Sequence, residues 1–173
     1  FLQVRLDVQS GTQCGGRTAE ARTVRRTMST EAESLHRAIR SAFEHAQPPK
    51  VVTTCTCEDC HSVSFDFVGQ RWTDLPAALL RRHAADLCLL EDEAFAHYLP
   101  AYLIAGLSDH GEGFVSSACI SLESRSNLDL LDSAQNQAVV SWLRYHGQNC
   151  TPLVASLARR VLNEWQQLGD GGA

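Results

Sequence analysis

Between Pro152 and Gly169 the apolar residues fall at Leu153, Val154, Leu157, Ala158, Val161, Leu162, Trp165 and Leu168. Doublets three and four apart line one side of a 3.6-residue helix, and a strand cannot keep that rhythm for so long. Such a helix must be covered along its apolar side by other elements of the same layer architecture. Gly169 supplies its stop. Whatever else the chain does, it has to provide helices or a sheet to pack here.

Four other segments read in the same way. Ser29 and Thr30 precede Glu31 and Glu33, a hydroxyl cap followed by acids at the positive end of the helix dipole. Ala32, Leu35, Ile39, Ala42, Phe43 and Ala46 then keep helical spacing until Pro48 and Pro49 end the element. Thr73 or Asp74 caps a second helix, with Pro76 in its first turn and Leu75, Leu79 and Leu80 inward. A third starts at Glu91, Asp92 and Glu93 and places Phe95, Tyr98, Leu99, Tyr102, Leu103 and Leu107 on one broad face. Pro100 lies inside it, which predicts a kink or break near Ala96. Asp132 or Ser133 opens a fourth that buries Ala134, Ala138, Val139, Trp142 and Leu143 and stops near Gly147.

Two stretches are ambiguous. From Val51 to Val68 apolar residues alternate in places, and period two argues for a hairpin carrying Cys57-Glu58-Asp59-Cys60 at its tip. The rival is a helix over 58–68 stopped by Gly69. From Glu112 to Leu122 the pattern suggests a loop with a short strand at 118–122. The expected fold is mostly α: one helical domain over 28–170, built from about five amphipathic helices, with a small β element at 51–57 or 118–122.

Charge separates the start of the chain from the rest. Residues 1–27 carry Arg5, Arg17, Arg22, Arg25 and Arg26 against Asp7 and Glu20, a net +3, and the remainder carries −8. The only methionine is Met28, and no amphipathic stripe runs through the leader. Residues 1–27 are therefore expected to be a non-native or disordered leader rather than a transit peptide. The overall −5 argues against a generally basic nucleic-acid binder. No apolar run approaches the ~18–20 residues of a membrane-spanning helix, so a soluble chain is expected.

Some segments are distinctive as strings. Gly69-Gln70-Arg71-Trp72 is followed by Arg82-His83, and then by Glu93-Ala94-Phe95-Ala96-His97-Tyr98-Leu99-Pro100-Ala101-Tyr102-Leu103. A glutamine-rich start at Gln135–Gln137 leads into Ala138–Leu143. Together, from Ser29 to His146, they resemble a family of small bacterial proteins known only as a domain of unknown function. The resemblance implies a helix before Gly69 and a bacterial, cytoplasmic setting. It implies no activity and no catalytic residue. Its signature residues are aromatics, glycine and proline, which serve packing and chain turning.

Chemistry concentrates in the thiols. Cysteines occur at 14, 55, 57, 60, 88, 119 and 150. Their odd number, with no secretory hydrophobic region in view, argues against a disulfide framework. Cys55, Cys57, Cys60 and His61 crowd together and nominally offer three sulfurs and an imidazole to zinc. Adjacent side chains such as Cys60 and His61 seldom converge on one ion. The better-formed site pairs Cys57 and Cys60 with a distant half-site drawn from His83, Cys88, His97 and Cys119, with His83 carried as the third ligand. The alternative is thiols that hold nothing. Redox use of Cys57 at a helix N-terminus is opposed by Glu58 and Asp59, which raise a thiol pKa.

Other chemistries lack their residues. There is no phosphate-binding glycine loop, no His-Glu-x-x-His and no Gly-x-Ser-x-Gly, and Gly111-Glu112-Gly113 reads as a flexible turn. Glu33-Ser34-Leu35-His36 lacks the second copy that a di-iron bundle needs. Glu93 and His97 read as a surface pair, and His83 beside Arg81 and Arg82 as a solvated basic spot. Two functions follow. The first is a non-enzymatic protein that works through protein contacts, immunity-like or regulatory, its acidity favouring a basic partner. The second is a zinc-binding protein using Cys57 and Cys60, with zinc structural rather than catalytic.

Overall fold

The computed structural model describes residues 29–108, 111–125 and 130–170, with side chains to 167. Expectations for the leader over 1–27 lie outside these residues. Seven α-helices occur among them: α1 (Thr30–Ala42), α2 (Glu58–Phe67), α3 (Ala77–Arg82), α4 (Asp92–Gly106), α5 (Glu112–Glu123), α6 (Ser133–Asn149) and α7 (Pro152–Asp170). Two 3-10 turns, Trp72–Asp74 and Ala85–Leu89, flank α3. No strand forms among the described residues, so the β elements expected at 51–57 and 118–122 are corrected.

Local sequence signals account for several helix starts. Ser29 caps α1, its Oγ accepting from the Ala32 N–H at 3.2 Å, and Glu31 and Glu33 occupy the first turn. Such a cap is worth about 1 kcal/mol. At α6 the signal is reciprocal: the Gln135 N–H donates to Asp132 Oδ1 at 2.8 Å, and the Asp132 N–H donates to Gln135 Oε1 at 3.0 Å. Gly69 ends the α2 region with φ +73°, a conformation that side chains disfavour. Gly111 turns the chain into α5 where a Cβ would lie 2.3 Å from Gly106 O, so the turn is tightly packed and only glycine fits.

α4 is the centre of the fold. Its expected single face is an underestimate, because Ala94, Phe95, His97, Tyr98, Leu99, Pro100, Ala101, Tyr102, Leu103 and Gly106 are all buried. An α-helix apolar nearly all round is a core helix. It runs unbroken through Pro100 rather than breaking near Ala96. Proline costs a helix interior ~3 kcal/mol, and here packing on every side outweighs that loss. Around α4 stand α5 and α1, while α6 packs on α1 and α7, and α7 on α5. Trp142 of α6, fully buried, donates from Nε1 to Leu103 O at 2.8 Å and ties the outer layer to the central helix. Of the α7 doublets, Val154, Ala158, Val161 and Trp165 are buried, and Leu153 stays outside.

The two ambiguous stretches resolve as helices. In α5, Phe114, Val115, Ala118, Cys119 and Leu122 are buried at helical spacing against α4 and α7. Its serines, Val115 and Ile120 have weak helix propensity, so the decision falls to tertiary packing. In α2, Cys60, Val63 and Phe67 face the core and Phe65 faces out. The alternation of Val63, Phe65 and Phe67 therefore does not mark a strand. Residues 51–57 stay irregular, held by the Glu91 N–H donating to Val52 O at 2.8 Å.

Candidate metal centre

Irregular chain and helix meet at the thiols. Cys57 is the N-cap of α2, in extended conformation, and Cys60 lies on the helix's inward face. Cys55 folds back so that the Cys57 N–H donates to its Sγ at 3.3 Å. The Sγ atoms of Cys55, Cys57 and Cys60 all lie within 4.8 Å of one another. Thr53 pins the preceding residues to α2: its Oγ1 donates to Cys60 O at 3.2 Å and lies 2.7 Å from Ser64 Oγ.

Three sulfurs this close share protons unequally. Hydrogen bonding from the Cys55 thiol, and then from Cys60, holds the Cys57 pKa below its ordinary value despite the nearby Asp59 charge. Burial pushes the Cys60 thiol up, and its hydrogen bond to Cys57 adds to the shift. Of these two, the exposed Cys57 is therefore the more acidic thiol. The anticipated dominance of Glu58 and Asp59 over the Cys57 pKa is reversed, because sulfur–sulfur hydrogen bonds are in direct contact and the carboxylates are not. With Zn–S bonds of ~2.3 Å, three sulfurs spaced this way suit three corners of a tetrahedron.

Of the nominal set Cys55, Cys57, Cys60 and His61, passed over in the sequence for Cys57 and Cys60 with a distant half-site, the structure gathers the three sulfurs. The distant half-site is not assembled. His83 is 3% exposed, with Nε2 2.8 Å from Asp66 Oδ2 and Nδ1 2.9 Å from Asp86 Oδ2. It is neither a member of the thiol group nor a solvated basic spot. His97 is buried rather than paired with Glu93 on the surface: its Nε2 accepts from the Trp72 N–H at 3.2 Å, and burial lowers its pKa. Cys119 is wholly buried, its thiol pushed up to about 12 by burial. Cys88 donates to Ala85 O at 3.5 Å.

Sequence reasoning missed one further pair. His146 Nδ1 lies 3.2 Å from Cys150 Sγ, the separation of a nucleophilic thiol and its base. Burial pushes His146 down to about 4 and Cys150 up, so neither charged partner of a thiolate–imidazolium pair is favoured. The His146 ring packs edge-on against Trp142 and Tyr145. The one-turn spacing of His146 and Cys150 was the available signal.

A helical domain wrapped around one buried helix, with three cysteines gathered at the start of another, is the class that fold and site define. The chain belongs to a family of unknown function, DUF6714, whose model matches residues 31–167. No curated protein and no solved structure matches it. No helix among the described residues is long and apolar enough to cross a membrane.

Proposed function

We propose that the domain binds one zinc ion through Cys55, Cys57 and Cys60, and that the ion is structural. The observation that carries this reading is the mutual approach of the three Sγ atoms within 4.8 Å. Soft thiolates select zinc over hard cations, and metal binding would clamp residues 53–57 onto the first turn of α2. A structural zinc needs a fourth ligand from outside this group, since His83 is engaged by Asp66 and Asp86. Native mass spectrometry of the chain purified without chelator tests it. A mass excess of one zinc, lost on Cys57→Ser, is expected. An apo mass after incubation with zinc would overturn the reading.

A second reading, action through protein contacts as an immunity-like or regulatory protein, is favoured by a separate observation. Phe65 is 84% exposed on the outward face of α2, and Val68 at 55% and Val51 at 53% are exposed as well. An apolar anchor on an acidic body suits a basic partner with an apolar contact. Paired captures with wild-type and Phe65→Ser baits test it. A protein held at low salt, released by salt and lost with Phe65→Ser is expected; identical captures on both baits would sink it.

A further inference from the structure

We propose that a cleft bounded by α1, the Trp72–Asp74 turn, α3 and α4 binds small organic acids, separately from the thiol centre. The acid group is held by Arg40 and Arg71, and an apolar body lies against Leu75, Leu80, Ala101 and Ile104.

Two hollows share Arg40, Trp72 and Thr73 as a common wall. The polar one, of about 410 Å³, is completed by Ser41, Glu44 and Arg71. The other, of about 210 Å³, is lined by Leu75, Leu80, Ala101 and Ile104 among others. Small-molecule sites run to ~300–1,000 Å³ and combine apolar walls with a few placed polar groups. This cleft has both parts, side by side.

Charge identifies the polar end of the ligand. The ion pairs of the described residues engage Arg82, Arg125 and Arg160, and neither Arg40 nor Arg71 has a carboxylate within ion-pair distance among those residues. Two guanidinium groups against the single carboxylate of Glu44 leave this hollow positive, in a chain whose net charge is −5. Arginine's planar fork matches a carboxylate with two parallel hydrogen bonds. The wall between the hollows is rigid. Trp72 is buried, its Nε1 donates to Phe43 O at 3.1 Å, its backbone N–H donates to His97 Nε2, and Arg40 lies over its ring at 5.8 Å. Inorganic phosphate would satisfy the arginines and leave the apolar hollow empty, so the favoured ligand carries an aliphatic or aromatic body on a carboxylate.

Octanoate is the probe, titrated into the full-length, isotope-labelled chain and followed by the Trp72 indole resonance and the Ala101 and Ile104 amides. Saturable shifts at both sets are expected, with acetate, inorganic phosphate and 1-octanol each binding about tenfold or more weakly because each lacks one half of the match. Arg71→Gln and Ala77→Trp, both at exposed positions, are each expected to weaken octanoate by about tenfold: the first removes a guanidinium and the second fills the rim of the apolar hollow. The Trp72 indole resonance of each free variant reports that the wall is intact. Octanoate that leaves Trp72 unmoved would overturn the proposal, as would equal binding by wild type and both variants. Phosphate binding as tightly as octanoate would overturn the organic-acid assignment. None of these outcomes depends on metal content, so this site and the thiol centre stand or fall separately.

Discussion

Asp66 Oδ2 lies 2.8 Å from Nε2 of His83, and the other ring nitrogen of His83 faces Asp86 at 2.9 Å. A buried imidazole at the end of α3 is thereby held between carboxylates from α2 and the Ala85–Leu89 turn. The His83 hydrogen bond is the main reason that the Asp66 carboxyl titrates below its ordinary value. A depressed carboxyl pKa contributes stability that is present above the unfolded value of ~3.9 and is lost as pH falls through the folded one. Asp66→Asn is expected to lower the melting temperature by several degrees at neutral pH and to flatten its acid dependence below about pH 4. Arg82→Ala, removing an exposed partner at 3.1 Å, is expected to change stability by under ~0.5 kcal/mol. Thermal melts across pH check both.

His146 carries a second acid sensitivity at higher pH. Burial holds its folded pKa at about 4, below the unfolded ~6.5. The unfolded chain therefore takes up the proton first, and stability present above pH ~6.5 is lost progressively as pH falls toward 4, by about 3 kcal/mol in all. Proton NMR is expected to show the His146 ring neutral at pH 5.5. A His146 resonance titrating near 6.5 in the folded protein would contradict the assignment.

The thiols separate function from packing. Cys57 is exposed, so Cys57→Ser is expected to abolish zinc binding while shifting metal-free stability by no more than ~0.5 kcal/mol. Cys60 is buried, and Cys60→Ser places a hydroxyl there at a cost of about 1–3 kcal/mol even without metal. Urea unfolding of both variants, with and without chelator, makes the comparison.

Trp142 joins α6 to α4 through a hydrogen bond and a fully buried ring. Trp142→Phe removes the donor to Leu103 O and part of the ring volume, and a loss of about 2–4 kcal/mol is expected from urea unfolding. A loss under 1 kcal/mol would show that α6 is not anchored through this residue.

The helices with strong local signals are legible in the residue order alone. Ser29 and Asp132 announce starts by their capping chemistry, and the apolar spacing of α7 permits nothing but a helix. α5 carries the same spacing at Phe114, Val115, Ala118, Cys119 and Leu122, hidden by serines and β-branched residues of low helix propensity. At the thiols, the Cys57–Cys60 spacing is legible, and the return of Cys55 is not. That return depends on Thr53 bonding to α2 and on Val52 accepting from Glu91, contacts that span as many as 39 residues of chain.

What the sequence determined by itself is the helical class, several of its boundaries and the Cys57–Cys60 spacing, because period, caps and residue type act over a few neighbouring positions. Tertiary structure decided which histidines are buried. His83 adjoins Arg82 and His97 stands one turn from Glu93, so both read as surface groups, yet carboxylates from α2 and the Ala85–Leu89 turn enclose one, and the Trp72 backbone caps the other. It also decided that Pro100 stays inside an unbroken helix and that Arg40 and Arg71 face one cleft. Burial is a property of what the rest of the chain brings to a residue, and spacing along the chain does not carry it.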